Sequence, residues 1–230
     1  MSTTPLQIAL DDGATVSALL DRPTQPLACY VFAHGAGAGM EHAFMGALAQ
    51  GLAERRLATL RFQFPFMEQG SRRPDTPAIA QAAVRAAVAE ASRRLPDVPL
   101  FAGGKSFGGR MTSQAQAVAP LPAVRGLVFV GFPLHPAGKP STTRAAHLAQ
   151  VGVPMLFLQG TRDALADLAL VQAQATLLGP RATLHVVDGA DHAFHVLVRS
   201  GRTDAHVLEE LAATTVRWML SVCPPAQAAT

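Results

Sequence analysis

The sequence predicts an α/β fold, one mostly parallel sheet of about eight strands with helices on both faces. Three observations carry that expectation. After the first two, short apolar runs bounded by turn residues alternate with longer segments of helical character. The stretch Gly103-Gly104-Lys105-Ser106-Phe107-Gly108-Gly109 stands between one such run and one such helix, with a serine at the turn. A chain of 230 residues, 49% of them hydrophobic, is also long enough to hide roughly 70% of its unfolded surface around one core.

The strands are expected at Leu6 to Leu10, Thr15 to Leu20, Ala28 to Ala33, Thr59 to Phe62, Leu100 to Ala102, Gly126 to Val130, Met155 to Leu158 and Thr183 to Val187. Helices are expected at Ala43 to Arg55, Pro77 to Arg94, Phe107 to Val118, Ala164 to Leu178 and Asp204 to Leu220. At Asp75-Thr76-Pro77 a polar cap precedes a proline whose missing N–H costs nothing at the first helical position, and Leu95-Pro96 closes that helix. Val207, Leu208, Leu211, Trp218 and Met219 recur at helical spacing and give the last helix an apolar stripe for the sheet. Neither a repeat nor a linker interrupts the chain, so a single domain over residues 1–223 is expected, with the Pro- and Ala-rich residues 224–230 as a flexible tail. Between Gly131 and Val153 there is room for a loop and a short helix, which leaves no separate lid domain.

Charged residues make up 15% of the chain, with a formal charge of +3. The basic residues are scattered singly or in pairs, so no nucleic-acid partner is expected. The apolar runs are too short to span a membrane, and no membrane partner is expected either. MSTTPLQIAL has no positive segment followed by an apolar one, and Cys29 and Cys223 do not form a disulfide framework. A cytoplasmic protein with two free thiols is the expectation.

The strongest chemical signal is G-x-S-x-G at Gly104, Ser106 and Gly108. A serine held at a tight strand-to-helix turn needs neighbours almost free of side chain, and the helix behind it aims N–H groups and a positive dipole end at the site. A phosphate-binding loop ending in Gly104-Lys105-Ser106 would need glycine where Pro99 stands. His34-Gly35-Ala36-Gly37-Ala38-Gly39 follows a strand, but Met40 occupies the place of the last glycine in a dinucleotide fingerprint. In a hydrolase that loop supplies one oxyanion donor, for which Ala36 is the candidate, and Phe107 after the serine supplies the other.

A serine hydroxyl needs a base, and the base needs an orienting acid. In the chain order serine, acid, histidine, Asp163 follows the strand ending at Leu158 and His192 follows the strand ending at Val187. Asp163 is equally suited to capping a helix from Ala164; Asp188 and Asp191 are weaker acid candidates, and His195 is the rival histidine. No metal and no cofactor are expected, because His192 and His195 lie in a loop without cysteine or a helical H-E-x-x-H. Met40, Phe64, Phe66, Met67 and Phe132 follow strand ends and are candidates both for an apolar substrate pocket and for core.

Five stretches, HGAGAGMEHAFM from His34, RFQFPF from Arg61, GGKSFGGRM from Gly103, LQGTRDAL from Leu158 and GADHAF from Gly189, make the chain resemble a particular α/β-hydrolase-like group. That group includes the testis-expressed relatives, the third subunit of the non-specific lethal chromatin complex and many bacterial hydrolases. The resemblance implies the α/β-hydrolase fold and the triad Ser106, Asp163 and His192. Dienelactone hydrolases look like more distant cousins that use a cysteine where Ser106 stands. The expected activity is hydrolysis of a small-molecule ester or thioester; the alternative is a noncatalytic interaction module on the same fold.

Overall fold

The computed structural model describes residues 2–224. Eight strands, β1 (Ser2–Ala9), β2 (Thr15–Arg22), β3 (Ala28–Ala33), β4 (Leu57–Phe62), β5 (Leu100–Lys105), β6 (Val124–Val130), β7 (Met155–Gly160) and β8 (Ala182–Val187), form one sheet in the order β1-β2-β4-β3-β5-β6-β7-β8. The β1–β2 and β2–β4 pairs are antiparallel and every later pair is parallel. Residues of β3, β4 and β7 are buried throughout, as continuous apolar runs covered on both faces should be.

The covering helices are α1 (Ala43–Glu54), α2 (Pro65–Glu68), α3 (Pro77–Arg94), α4 (Phe107–Val118), α5 (Leu168–Leu178) and α6 (Asp204–Val222). Side chains alternate along each strand, so the sheet feeds two cores. One joins Val31, Leu60 and Phe129 to Val84, Met111 and Val171 of α3, α4 and α5. The other joins Tyr30, Phe32 and Val128 to Leu48 and Leu52 of α1 and Val207, Leu211 and Trp218 of α6. Among the described residues there is no separate lid domain, and no helix is long and apolar enough to cross a membrane.

Several boundaries differ from the expected ones. β1 starts at Ser2 because it pairs in unbroken register with β2, Ser2 opposite Arg22, although only Ile8 of it is fully buried. β5 runs through Gly103 and Gly104 to Lys105 because those glycines pair with β3 and β6. α5 begins at Leu168, capped by Asp167, whose side chain accepts from Leu170 N at 3.1 Å. Ala164 is therefore no helix start, and Asp163 is no cap for this helix. The short α2 occupies a connection for which no helix is expected, while a 3₁₀ segment over Thr143–Gln150 takes the place of the short helix expected between Gly131 and Val153. Of the expected tail only Pro224 is described, and the remainder lies outside the described residues.

Candidate active site

Ser106 follows the central strand β5 and forms the N-terminal cap of α4, with φ 50° and ψ −114°. A non-glycine residue held at positive φ costs on the order of 1–3 kcal/mol and persists only where its surroundings impose it. The imposing contacts are visible. A Cβ on Gly104 would lie 2.3 Å from the Ala33 carbonyl oxygen, and one on Gly108 would lie 2.5 Å from the same atom and 2.6 Å from that of His34. The elbow thus presses directly on the end of β3, which no side chain would allow.

Ser106 Oγ and His192 Nε2 are 2.8 Å apart, and His192 Nδ1 lies 2.7 Å from Asp163 Oδ2. An ionised carboxylate can only accept, so Nδ1–H donates to Asp163 and leaves Nε2 free to accept from the serine. Asp163 has a fully buried side chain, while about a quarter of that of His192 is exposed. Its Oδ2 also accepts from Gln159 Nε2 at 2.5 Å, and Oδ1 accepts from Leu165 N at 2.8 Å. The rival groups lie elsewhere: Asp188 accepts from Thr161 Oγ1 at 3.4 Å, Asp191 accepts from the Ala193 and His195 amides, and His195 pairs with Asp204 at 2.8 Å. The hydrogen bond to Asp204 holds the His195 imidazole above its ordinary pKa.

Lys105 turns its side chain behind the histidine. Its ammonium donates to the His192 carbonyl oxygen and lies 5.3 Å from the Phe194 ring centre and 5.9 Å from that of Phe44. Burial pulls its pKa down to about 8, against the opposing pull of Asp163 and Asp191. An amine committed in this way has no phosphate to meet.

Ala36 and Phe107 both border the space beside Ser106. The loop carrying Ala36 is clamped from the end of β4 and the residues after it. His34 Nδ1–H donates to the Gly35 carbonyl at 2.7 Å, and its Nε2 accepts from Phe64 N at 2.9 Å. That pattern requires a neutral ring, and burial lowers its pKa to about 4. Gln63 Oε1 accepts from Met40 N at 2.9 Å, while Arg61 Nη1 donates to the Met40 carbonyl at 2.8 Å. Arg61 also pairs with the buried Asp21 at 2.9 Å. His34, Gln63 and Arg61 were absent from the expected site. For Arg61 and Gln63 the signal is two polar residues at two-residue spacing in the aromatic run RFQFPF, and for His34 a polar residue directly after the buried apolar run of β3.

The pocket expectation needs correction. Met40, Phe64, Phe66 and Phe132 are core residues, each no more than 6% exposed, and Phe64 and Phe66 pack edge-on against the Phe107 ring. Met67 lines a separate surface cleft with Arg72 and Gly70, reaching the site only through Ala36 and Gly37. The space at Ser106 and His192 is instead a cavity of about 430 Å³ walled by Ala38, Phe44, Met45, Leu165 and Ala193.

A doubly wound eight-stranded sheet with a serine at the elbow of its central strand defines the α/β-hydrolase class. The chain belongs to the alpha/beta hydrolase family: the family profile described as an alpha/beta hydrolase domain matches residues 26–220. Solved structures extend the likeness over nearly the whole chain. A dienelactone hydrolase from Anabaena variabilis is similar at 18% identity and TM-score 0.79, covering 96% of this chain and 97% of that one. An alpha-beta serine hydrolase homologue from Coxiella burnetii matches at 20% identity and TM-score 0.75, over 95% and 98%. A lidless serine hydrolase from Xanthomonas campestris matches at 21% identity and TM-score 0.71, over 95% of each chain. At these identities the likeness is one of fold.

Proposed function

We propose that the protein is a serine hydrolase that cleaves carboxylic esters through an acyl-enzyme on Ser106. The observation that carries this reading is the continuous relay of 2.8 Å and 2.7 Å from Ser106 through His192 to Asp163. In the mechanism, His192 Nε2 takes the hydroxyl proton as Oγ bonds to the carbonyl carbon, and the Ala36 and Phe107 amides receive the oxyanion. Collapse of the tetrahedral species breaks the bond to the leaving alcohol, which takes the proton from His192. Water then repeats the sequence and frees the acid. Thioesters pass through the same geometry and belong to the same proposal. Within the family we place the chain with the testis-expressed and non-specific lethal complex type, on the five stretches that suggested it. Two unpaired cysteines support a reducing, cytoplasmic setting.

The test uses a fluorophosphonate, which bonds only to a serine activated by a base and by aligned donors. Wild-type protein is expected to label on Ser106, and Ser106→Ala and His192→Ala are expected to remain unlabelled while folded. A folded wild type that stays unlabelled, or carries the adduct elsewhere, would leave the noncatalytic module as the reading.

A further inference from the structure

Ser106 borders a second cavity of different chemistry. It measures about 340 Å³, is rimmed by Pro74, Pro77 and Pro133, and carries Arg110 of α4 and Arg144 of the 3₁₀ segment on its wall. Partly buried arginines elsewhere in this fold spend their donors on protein acceptors. Arg55 reaches Gly51 O and Glu209, Arg85 the Ala115 and Ala119 carbonyls, Arg181 the Ala149 and Val151 carbonyls, and Arg202 Glu210. Among the described residues, neither the Arg110 nor the Arg144 guanidinium makes a hydrogen bond or an ion pair, and Arg110 Nε is fully buried without a partner. Both guanidiniums thus bring uncommitted donors to the wall beside Ser106, where a ligand rather than protein can take them.

The charges around this wall point the same way. Burial, and then the repulsion of Arg144, lower the pKa of Arg110. His147, behind Arg110, is held neutral by burial and by that guanidinium, its pKa lowered to about 4. Asp75 is the one acid on the cavity wall. Its carboxylate accepts from Phe66 N at 3.1 Å, and burial raises its pKa. Two cations against one tethered acid leave a net positive wall, and the N-terminus of α4 adds its partial positive charge.

We infer that this second cavity is an anion subsite, so that the substrate is an ester bearing a carboxylate or phosphate group on one side of the scissile carbonyl and an apolar group on the other. The inference rests on Ser106 being the nucleophile. The apolar side occupies the cavity of Phe44 and Met45, the oxyanion meets Arg110 and Arg144, and the carbonyl lies between them at Ser106. Guanidinium forks match either oxyanion in a bidentate manner.

The experiment compares kcat/KM for the 4-nitrophenyl monoester of adipic acid and for its uncharged methyl ester. Wild-type protein is expected to favour the anion by about tenfold or more, the size of one charge-assisted hydrogen bond. Arg110→Gln should bring the ratio near unity, Arg144→Gln should lower it, and Arg110→Lys should keep part of it. In parallel, 4-phenylbutyrate and phenyl phosphate, neither of which carries a carboxylic ester, are titrated into wild type, Arg110→Gln and Arg144→Gln. Binding of either that weakens in the variants supports the subsite and tells which oxyanion fits. If the fluorophosphonate labels Ser106 but the ester ratio is near one and neither anion's binding responds to Arg110→Gln or Arg144→Gln, the subsite is wrong and the hydrolase reading stands. If the serine is inert yet 4-phenylbutyrate binding depends on the arginines, the hydrolase reading fails, the ester substrate is overturned with it, and the cavity is an anion-binding site alone. Absence of both the preference and the binding overturns the inference.

Discussion

Replacing Asp163 by asparagine separates an orienting carboxylate from one that merely shapes a turn. Asp163 Oδ2 accepts from His192 Nδ1 and Gln159 Nε2, and Oδ1 accepts from Leu165 N. Asparagine has a single acceptor oxygen. If that oxygen stays with His192, the amide opposes the Leu165 N–H, donor against donor, in a position with no solvent, where an unpaired donor costs about 1–3 kcal/mol. If the oxygen stays with Leu165, the amide takes the Oδ2 place, and Gln159 can rotate its Oε1, which has no partner among the described residues, to accept one amide proton. This second arrangement satisfies the neighbours, but it aims the other amide proton at His192 Nδ1. The ring must then accept there and carry its own proton on Nε2, where it can no longer receive one from Ser106. Turnover is expected to fall by about 10⁴, equivalent to ~5 kcal/mol of barrier, with the fold retained. The assay is kcat on an aryl ester, with urea midpoints to establish folding. Asp188→Asn, whose nearest donor is 3.4 Å away on Thr161, should cost little. A folded Asp163→Asn with turnover within about tenfold of wild type, or a larger loss from Asp188→Asn, would refute the reasoning.

Lys105→Met keeps the stem and removes the ammonium behind His192, so kcat should fall by about tenfold with KM little changed, the value of one charge-assisted hydrogen bond of ~1.5 kcal/mol. Its folded-state pKa of about 8 lies below its ordinary 10.5, so between those values the unfolded chain binds more protons and stability rises with pH. Urea unfolding should show that rise in wild type relative to Lys105→Met, and parallel pH profiles would reject it. Arg61→Met strips Asp21 of its buried counter-charge and should destabilise the fold by roughly 3–5 kcal/mol; an unchanged urea midpoint would contradict this.

The parts legible in the sequence were those fixed by contacts close along the chain. β3 reads as six apolar residues and is six buried residues, and α4 begins immediately after the serine whose glycine neighbours announce the turn. The start of α5 was misread because Asp163 and Asp167 both have capping chemistry, and only the β8 loop, bringing His192 alongside, takes Asp163 out of competition. Gly103 to Lys105 lacked strand character in isolation; pairing with β3 and β6, dozens of residues away, makes them strand. Phe64 and Phe66 were candidates for substrate because aromatic residues after a strand serve either purpose. Their contact with Phe107, which no local pattern encodes, assigns them to the support of the elbow.

That support bears on how the proposed oxyanion donors would stay aligned in a site without a lid domain. The Ala36 loop is flanked by glycines and would sample many conformations if free, yet a pre-organised oxyanion site must not reorganise during reaction. The end of β4 and the residues just past it remove that freedom at both ends of the loop, the Phe64 amide through His34 and the Gln63 and Arg61 side chains through the Met40 amide and carbonyl. Arg61 is itself held by Asp21 on β2, and Asp21 also accepts from Thr59 on β4 and Thr3 on β1. Buried polar bonds of this kind link the antiparallel edge of the sheet to the loop beside the nucleophile. Under the proposed mechanism the RFQFPF stretch would act without lining either cavity, by holding the loop that continues from Ala33 and His34, the backbone that Gly104 and Gly108 approach closely.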